Sequence, residues 1–194
     1  MVKCLKYIGL FGFMVTQTVF AEPVINESKQ YYEFDAGSRE EIWYRISRAG
    51  GRVQASDGTD HGVRVAWTSH DLQLKYQFQP GLNKCRLTSY QPILNVTVTL
   101  PYWRNKWEAN PVLADNWDNY VRMVANHESV HKDHAIKMAK DLDQRLGEIG
   151  VMKSCRDLKA EVKKIRDQVI SENVANNRWF DAKERVYQKK LKWF

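Results

Sequence analysis

Residues 118–149, DNYVRMVANHESVHKDHAIKMAKDLDQRLGEI, decide how this chain is read. They hold no Pro, and no Gly before Gly147, and Tyr120, Val124, Met138, Leu142 and Ile149 recur at helical spacing. That pattern predicts one long amphipathic helix with a buried stripe. His127 and His131 fall inside the stripe, whereas Lys132, Asp133, Lys137, Lys140 and Asp141 lie off it. Side chains four apart share a helical face, so both imidazoles can point at one spot in a cleft. Two neutral imidazoles at that spacing make half of a tetrahedral zinc site. Glu128 stands at the edge of the same face, where a carboxylate can take a proton from a water activated by the metal. His127-Glu128-Ser129-Val130-His131 thus has the pattern H-E-x-x-H. It points to Zn2+ as cofactor, His127 and His131 as ligands, and Glu128 as general base in the hydrolysis of a peptide bond.

His134 is a further histidine near this face, one turn beyond His131. Seven residues separate it from His127, about 10 Å along a straight helix axis, which is far for one ion to bridge. Motifs that draw a nearby third histidine break the helix with Gly first, and none stands between His131 and His134. His134 is expected beside the ligands, lining the cleft, although it stays among the candidates for the third one.

Upstream of this helix the period changes from helical to two. Val63, Val65 and Trp67 alternate with polar neighbours, as do Leu72, Leu74, Tyr76 and Phe78, and again Leu94, Val96, Val98 and Leu100. Such alternation predicts an antiparallel sheet with one buried face, with a further strand between Cys85 and Tyr90. Gln30 to Phe34 reads as an earlier strand, and Ser38-Arg39-Glu40-Glu41 as a capping box opening a short helix to Gly50-Gly51. Arg52 to His61 reads as a polar loop, and Pro101 as the end of the sheet. Tyr102 to Trp107 reads as an aromatic run anchoring a loop to the core. Beyond Cys155, Leu158, Val162, Ile165 and Val169 predict a second helix, and a last helical stretch runs from near Trp179 to Trp193-Phe194. Sheet first and helices second is an α+β domain.

The N-terminus reads as an export signal. Lys3 and Lys6 precede an apolar run from Tyr7 to Phe20, and Val19 and Ala21 are the small residues before a cleavage point. Residues 1–21 are therefore expected to be removed, leaving one domain at 22–194 in the periplasm or outside the cell. The run is short for a membrane span, so no stable insertion is expected after cleavage. Cys4 precedes the run, which argues against a lipoprotein. Removal leaves Cys85 and Cys155, and an isolated pair in an oxidising compartment predicts a disulfide. The chain carries a formal +7, with acidic and basic residues mixed and no long basic run, which speaks against nucleic-acid binding. The expected partner is a peptide or protein substrate.

Several of these residues carry a resemblance. The Trp67-Thr68 strand, Cys85, the strand closing in Leu100-Pro101 and the aromatic after it, Trp117, the H-E-x-x-H helix and Cys155 resemble a bacterial family of predicted secreted zinc-dependent proteases, the domain of unknown function 922. The resemblance runs from about Tyr31 to the last helix and implies a zincin-like fold, zinc at His127 and His131, and Glu128 as base. Relatives tend to carry an aromatic-Asp pair followed by Thr-x-His-Gly. Phe180-Asp181 matches the first part, but Glu184-Arg185-Val186-Tyr187 occupies the second. The third ligand then falls to Asp181 or Glu184. The leading expectation is a zinc metallopeptidase. The alternatives are a non-catalytic envelope binding protein with a peptidase-like fold and a partial zinc site, and a zinc hydrolase of another bond, such as an amidase.

Overall fold

The computed structural model describes residues 22–50, 52–54 and 60–188. The expected signal at 1–21 and the Trp193-Phe194 end lie outside the described residues. The elements are β1 (Val24–Phe34), α1 (Arg39–Gly50), β2 (Arg52–Gln54), β3 (Asp60–Val63), β4 (Trp67–Gly81), β5 (Lys84–Trp103), a 3-10 turn (Lys106–Glu108), α2 (Pro111–Gly147) and α3 (Cys155–Gln188). This is a mixed α+β arrangement with strands first and long helices last.

The main sheet has three strands in the order β1-β5-β4. β4 and β5 form a long antiparallel hairpin, from Trp67 opposite Thr99 to Gly81 opposite Lys84. The turn is Leu82-Asn83, and Asn83 takes the left-handed φ of 51° that Asn tolerates through its short polar side chain. β1 lies along the other side of β5 and runs parallel to it, from Val24 beside Ile93 to Phe34 beside Trp103. The expected antiparallel sheet is therefore a mixed one. Alternation determines which face of a strand is buried and carries no information about strand direction. β1 also starts six residues before the predicted Gln30, because an edge strand so largely exposed has little apolar alternation to read.

Other boundaries move for similar reasons. The predicted loop at Arg52–His61 contains β2 and the start of β3, which pair as a separate two-stranded sheet. The alternation through Val63, Val65 and Trp67 is interrupted, since β3 ends at Val63 and β4 begins at Trp67. The strands expected at 85–90 and 94–100 are one continuous β5. Pro101 does not end it. Pro101 lies beyond Thr99, where the β4 ladder has stopped, and Pro92 lies just before Ile93, where the β1 ladder begins. Each proline lacks a sheet partner on one side, so its missing N–H is tolerated. Of the aromatic run, Trp103 is the anchor: it is buried, and its indole N–H donates to the Ala36 carbonyl at 3.0 Å and to Asn105 Oδ1 at 2.8 Å. Tyr102 and Trp107 are exposed.

The capping box forms as read, with Ser38 Oγ accepting from the Glu41 N–H and Glu41 Oε2 from the Gly37 N–H. α2 starts earlier than Asp118, at Pro111. Asn110 caps it by accepting from the Val112 N–H at 2.9 Å, and Pro suits the first helical position because its missing N–H would have no partner there. α3 joins the two predicted C-terminal helices into one of 34 residues. α2 and α3 pack together on one face of the main sheet. A disulfide between Cys85 and Cys155 ties β5 to the start of α3, beside a pair of backbone hydrogen bonds between Cys85 and Met152.

Two apolar clusters hold these elements. An aliphatic one gathers Leu72, Leu94 and Val96 with Ala135, Met138, Leu142 and Leu146 of α2 and Val162, Ile165 and Val169 of α3. An aromatic one gathers Phe34, Trp103, Trp117 and Tyr120 with Ile42 and Ile46 of α1. α2 runs through both, and His127 to His131 occupies the interval between them. The helix is thus clamped on either side of the motif, which fixes the direction of the side chains it presents.

Candidate metal centre

His127 and His131 leave α2 one turn apart and bring their Nε2 atoms to 3.0 Å from each other. A third donor arrives from α3. Asp181 Oδ1 lies 2.9 Å from His131 Nε2 and 3.4 Å from His127 Nε2. Among the described residues, His127, His131 and Asp181 form the cluster of nitrogen and oxygen donors compact enough to hold a metal ion. Glu184 and His134, the other candidates for a third ligand, are not part of it. Ligands about 2.0–2.1 Å from a tetrahedral zinc sit about 3.3 Å apart, so these three donors would need to shift by only tenths of an ångström. The residues present fit such an ion.

The surrounding side chains orient the donors. His131 Nδ1 and His134 Nδ1 lie 3.0 and 2.7 Å from Asn177 Oδ1. An amide oxygen only accepts, so both rings donate from Nδ1–H, which leaves His131 Nε2 either to donate to Asp181 when the ring is protonated or to offer its lone pair to an ion when it is neutral. Phe180 stacks on His127 with ring centroids 4.9 Å apart and meets His131 and His134 edge-on. His127 Nδ1 is buried without a hydrogen-bond partner among the described residues, so its ring is placed by packing. Burial would push the His131 imidazole down, but its hydrogen bonds to Asp181 and Asn177 outweigh this and raise it. Burial would likewise push Asp181 up. The two imidazoles outweigh it and hold the carboxyl well below the usual carboxylate range.

Glu128 lines the same cleft as these donors, against the sheet, and is only 6% exposed. Thr68 at the start of β4 donates its hydroxyl to Glu128 Oε2 at 2.9 Å and lies 3.0 Å from the Glu128 carbonyl. A hydroxyl has one proton, so it serves one acceptor at a time. His70, two residues on, receives Asn173 of α3 at 3.4 Å, and burial pushes its imidazole below the ordinary value. Glu128, Thr68 and His70 line this cleft of about 600 Å³ with His127, His131 and Asp181, together with Val63–Ala66, Tyr120 and Val124.

A family model covers residues 29–188, described as bacterial proteins of unknown function, DUF922. The chain belongs to the DUF922 family. No curated protein and no solved structure matches it.

Two residues of this DUF922 domain that surround the donors escaped the sequence reading. Thr68 was visible only as part of the family pattern, and Asn177 not at all. A signal for Asn177 was present. The apolar row Leu158, Val162, Ile165, Val169 continues at the same spacing as Asn173, Asn177 and Asp181. The row changes from apolar to polar as its steps of four residues turn slowly round the helix, about 40° each.

Proposed function

We propose that this DUF922 protein is a zinc-dependent peptidase of the periplasm or the extracellular space, with a zincin-like site. The observation that supports this most is that Asp181, from a helix distant in sequence, meets both histidines of the H-E-x-x-H motif at the open wall of a cleft. His127, His131 and Asp181 would hold the ion and leave its cleft side free for water and substrate, as in catalytic zinc sites. Bound there, zinc would supply Lewis acidity, lowering the pKa of a water and polarising the carbonyl of the bond to be cleaved.

The chain's own residues do the rest. Thr68 holds Glu128 Oε2, so the carboxylate has one oriented oxygen and one left to take a proton. After accepting it from the attacking water, Glu128 returns it to the departing amine. Asn177 keeps His131 in the tautomer that ligates. β4 is an edge strand of the main sheet, and its first residues form the cleft wall. An extended peptide can add to that edge by backbone hydrogen bonds, which leaves its carbonyl near Glu128.

Glu128→Gln tests the reading. Glu128 is not among the clustered donors, so zinc content should persist. Hydrolysis of a denatured-protein substrate should fall by roughly 10²–10⁴-fold, the scale of a lost general base. Equal rates for parent and variant would overturn the assigned role.

A further inference from the structure

The cleft contains one cation that the proposed chemistry does not use. Arg64 stands on the wall that also carries Thr68, and its side chain is exposed. It makes no hydrogen bond or ion pair among the described residues. The other charged groups of the cleft are committed: Asp181 to the two imidazoles, and Glu128 to Thr68. Two neutral histidines and one carboxylate leave a divalent ion with a net +1, which Glu128 balances. Arg64 then gives the cleft its surplus positive charge.

Arg64 is also firmly placed, although residues 64–66 belong to no strand. A Cβ on Gly50, at the end of α1, would stand 1.7 Å from the Arg64 carbonyl oxygen, so this backbone lies directly against the glycine. One residue on, the Tyr32 hydroxyl donates to the Val65 carbonyl at 2.6 Å. Two contacts from separate elements thus hold the backbone from which the guanidinium projects. A guanidinium fixed at its base and unpaired among the described residues is suited to bidentate binding of a carboxylate.

We propose that Arg64 is a specificity residue that recognises a carboxylate of the bound peptide, so that the protein prefers acidic substrates. This deepens the peptidase reading and rests on it. Arg64 precedes Thr68 by four residues, a reach of at most about 14 Å. A peptide lying along the β4 edge would therefore place its carboxylate within about four residues of the bond beside Glu128. The carboxylate is either an Asp or Glu side chain or the peptide's own C-terminus.

The test uses zinc-loaded Glu128→Gln protein, which binds without cutting, and three fluorescent peptides of one sequence measured by anisotropy. One carries an internal Glu and an amidated C-terminus, one a Gln and an amidated C-terminus, and one a Gln and a free C-terminus. A carboxylate-bearing peptide should bind roughly tenfold tighter than the neutral one, the scale of a charge-assisted pair. Whichever of the two does so identifies the source. Arg64→Ala should erase the preference, Arg64→Lys should restore part of it, and Arg64→Glu should reverse it toward a Lys-bearing peptide, all with parental zinc content. Equal binding of all three peptides, a preference that survives Arg64→Ala, or no binding would overturn the proposal. Cleavage by the parent protein separates the two readings. Cleavage without charge preference sinks the Arg64 subsite alone, while tight acidic binding with no cleavage leaves the subsite and removes the peptidase.

Discussion

The two halves of α3 serve different purposes. In the first half Leu158 is buried, Val162, Ile165 and Val169 are buried in one cluster with Met138, Leu142 and Leu146, and the disulfide at Cys155 holds the start of the helix. In the second half steps of four residues carry the row on through Asn173, Asn177 and Asp181, and these reach His70, His131, His134 and His127. The residues between them, such as Val174 and Trp179, are exposed. The first half thus holds the helix in the fold, and the second half is held chiefly by the candidate metal centre. A helix that carries a ligand needs a part that is rigid without the metal and a part that answers to it.

The comparison can be broken from either end. The largest effect on stability is expected in the apolar half. Leu158 is fully buried, and Leu158→Ala should cost about 2–5 kcal/mol in chemical denaturation, the range for emptying a leucine site in a packed core. The fraction that stays folded should still take up zinc. If Leu158→Ala left stability unchanged, the first half would not be the anchor claimed for it. Asn177→Ala should do the opposite: little change in stability, and zinc affinity lower by roughly 10–100-fold in a competition titration, the usual cost of removing a group that orients a ligand. Unaltered affinity would mean that Asn177 does not set the His131 ring.

A smaller effect concerns pH. In metal-free protein the raised His131 contributes stability below its ordinary pKa and loses it as pH rises through the raised value. The depressed Asp181 contributes above the ordinary carboxylate range and loses it as pH falls through its low value. Their pairing therefore supports the apo fold between about pH 4 and 6.5. The difference in Tm between chelated parent and chelated Asp181→Asn should shrink as pH rises from 6 to 8, whereas zinc affinity should rise over the same interval because protons compete with the metal. A difference that widens with pH would contradict the pairing.

The same contrast explains what could be read from the sequence. β4, β5 and the middle of α2 were legible because each buries one face against the aliphatic cluster, and burial leaves a periodic apolar record. Cys85 and Cys155 were legible because, with Cys4 assigned to the expected signal, the other two cysteines leave one intramolecular pairing. The direction of β1 was not, since parallel and antiparallel strands alternate alike. The continuity of α3 was not, because Ser171 to Arg178 is polar and a search for apolar spacing sees a gap there. Yet Asn173 and Asn177 keep the helical register that Val169 began. For the site, the motif named His127, Glu128 and His131, but the choice among Asp181, Glu184 and His134 depended on where α3 meets α2, which is tertiary information. Thr68 was hidden for the same reason, since its partner Glu128 is 60 residues away.

Zinc stoichiometry by mass spectrometry on protein purified without added metal, in the parent and in single alanine variants, tests the central claim most directly. His127, His131 and Asp181 converging on one ion predicts about one zinc per chain in the parent. It predicts loss of that zinc in Asp181→Ala as in His131→Ala, and full retention in Glu184→Ala. Full zinc in Asp181→Ala, or zinc lost from Glu184→Ala instead, would contradict the account.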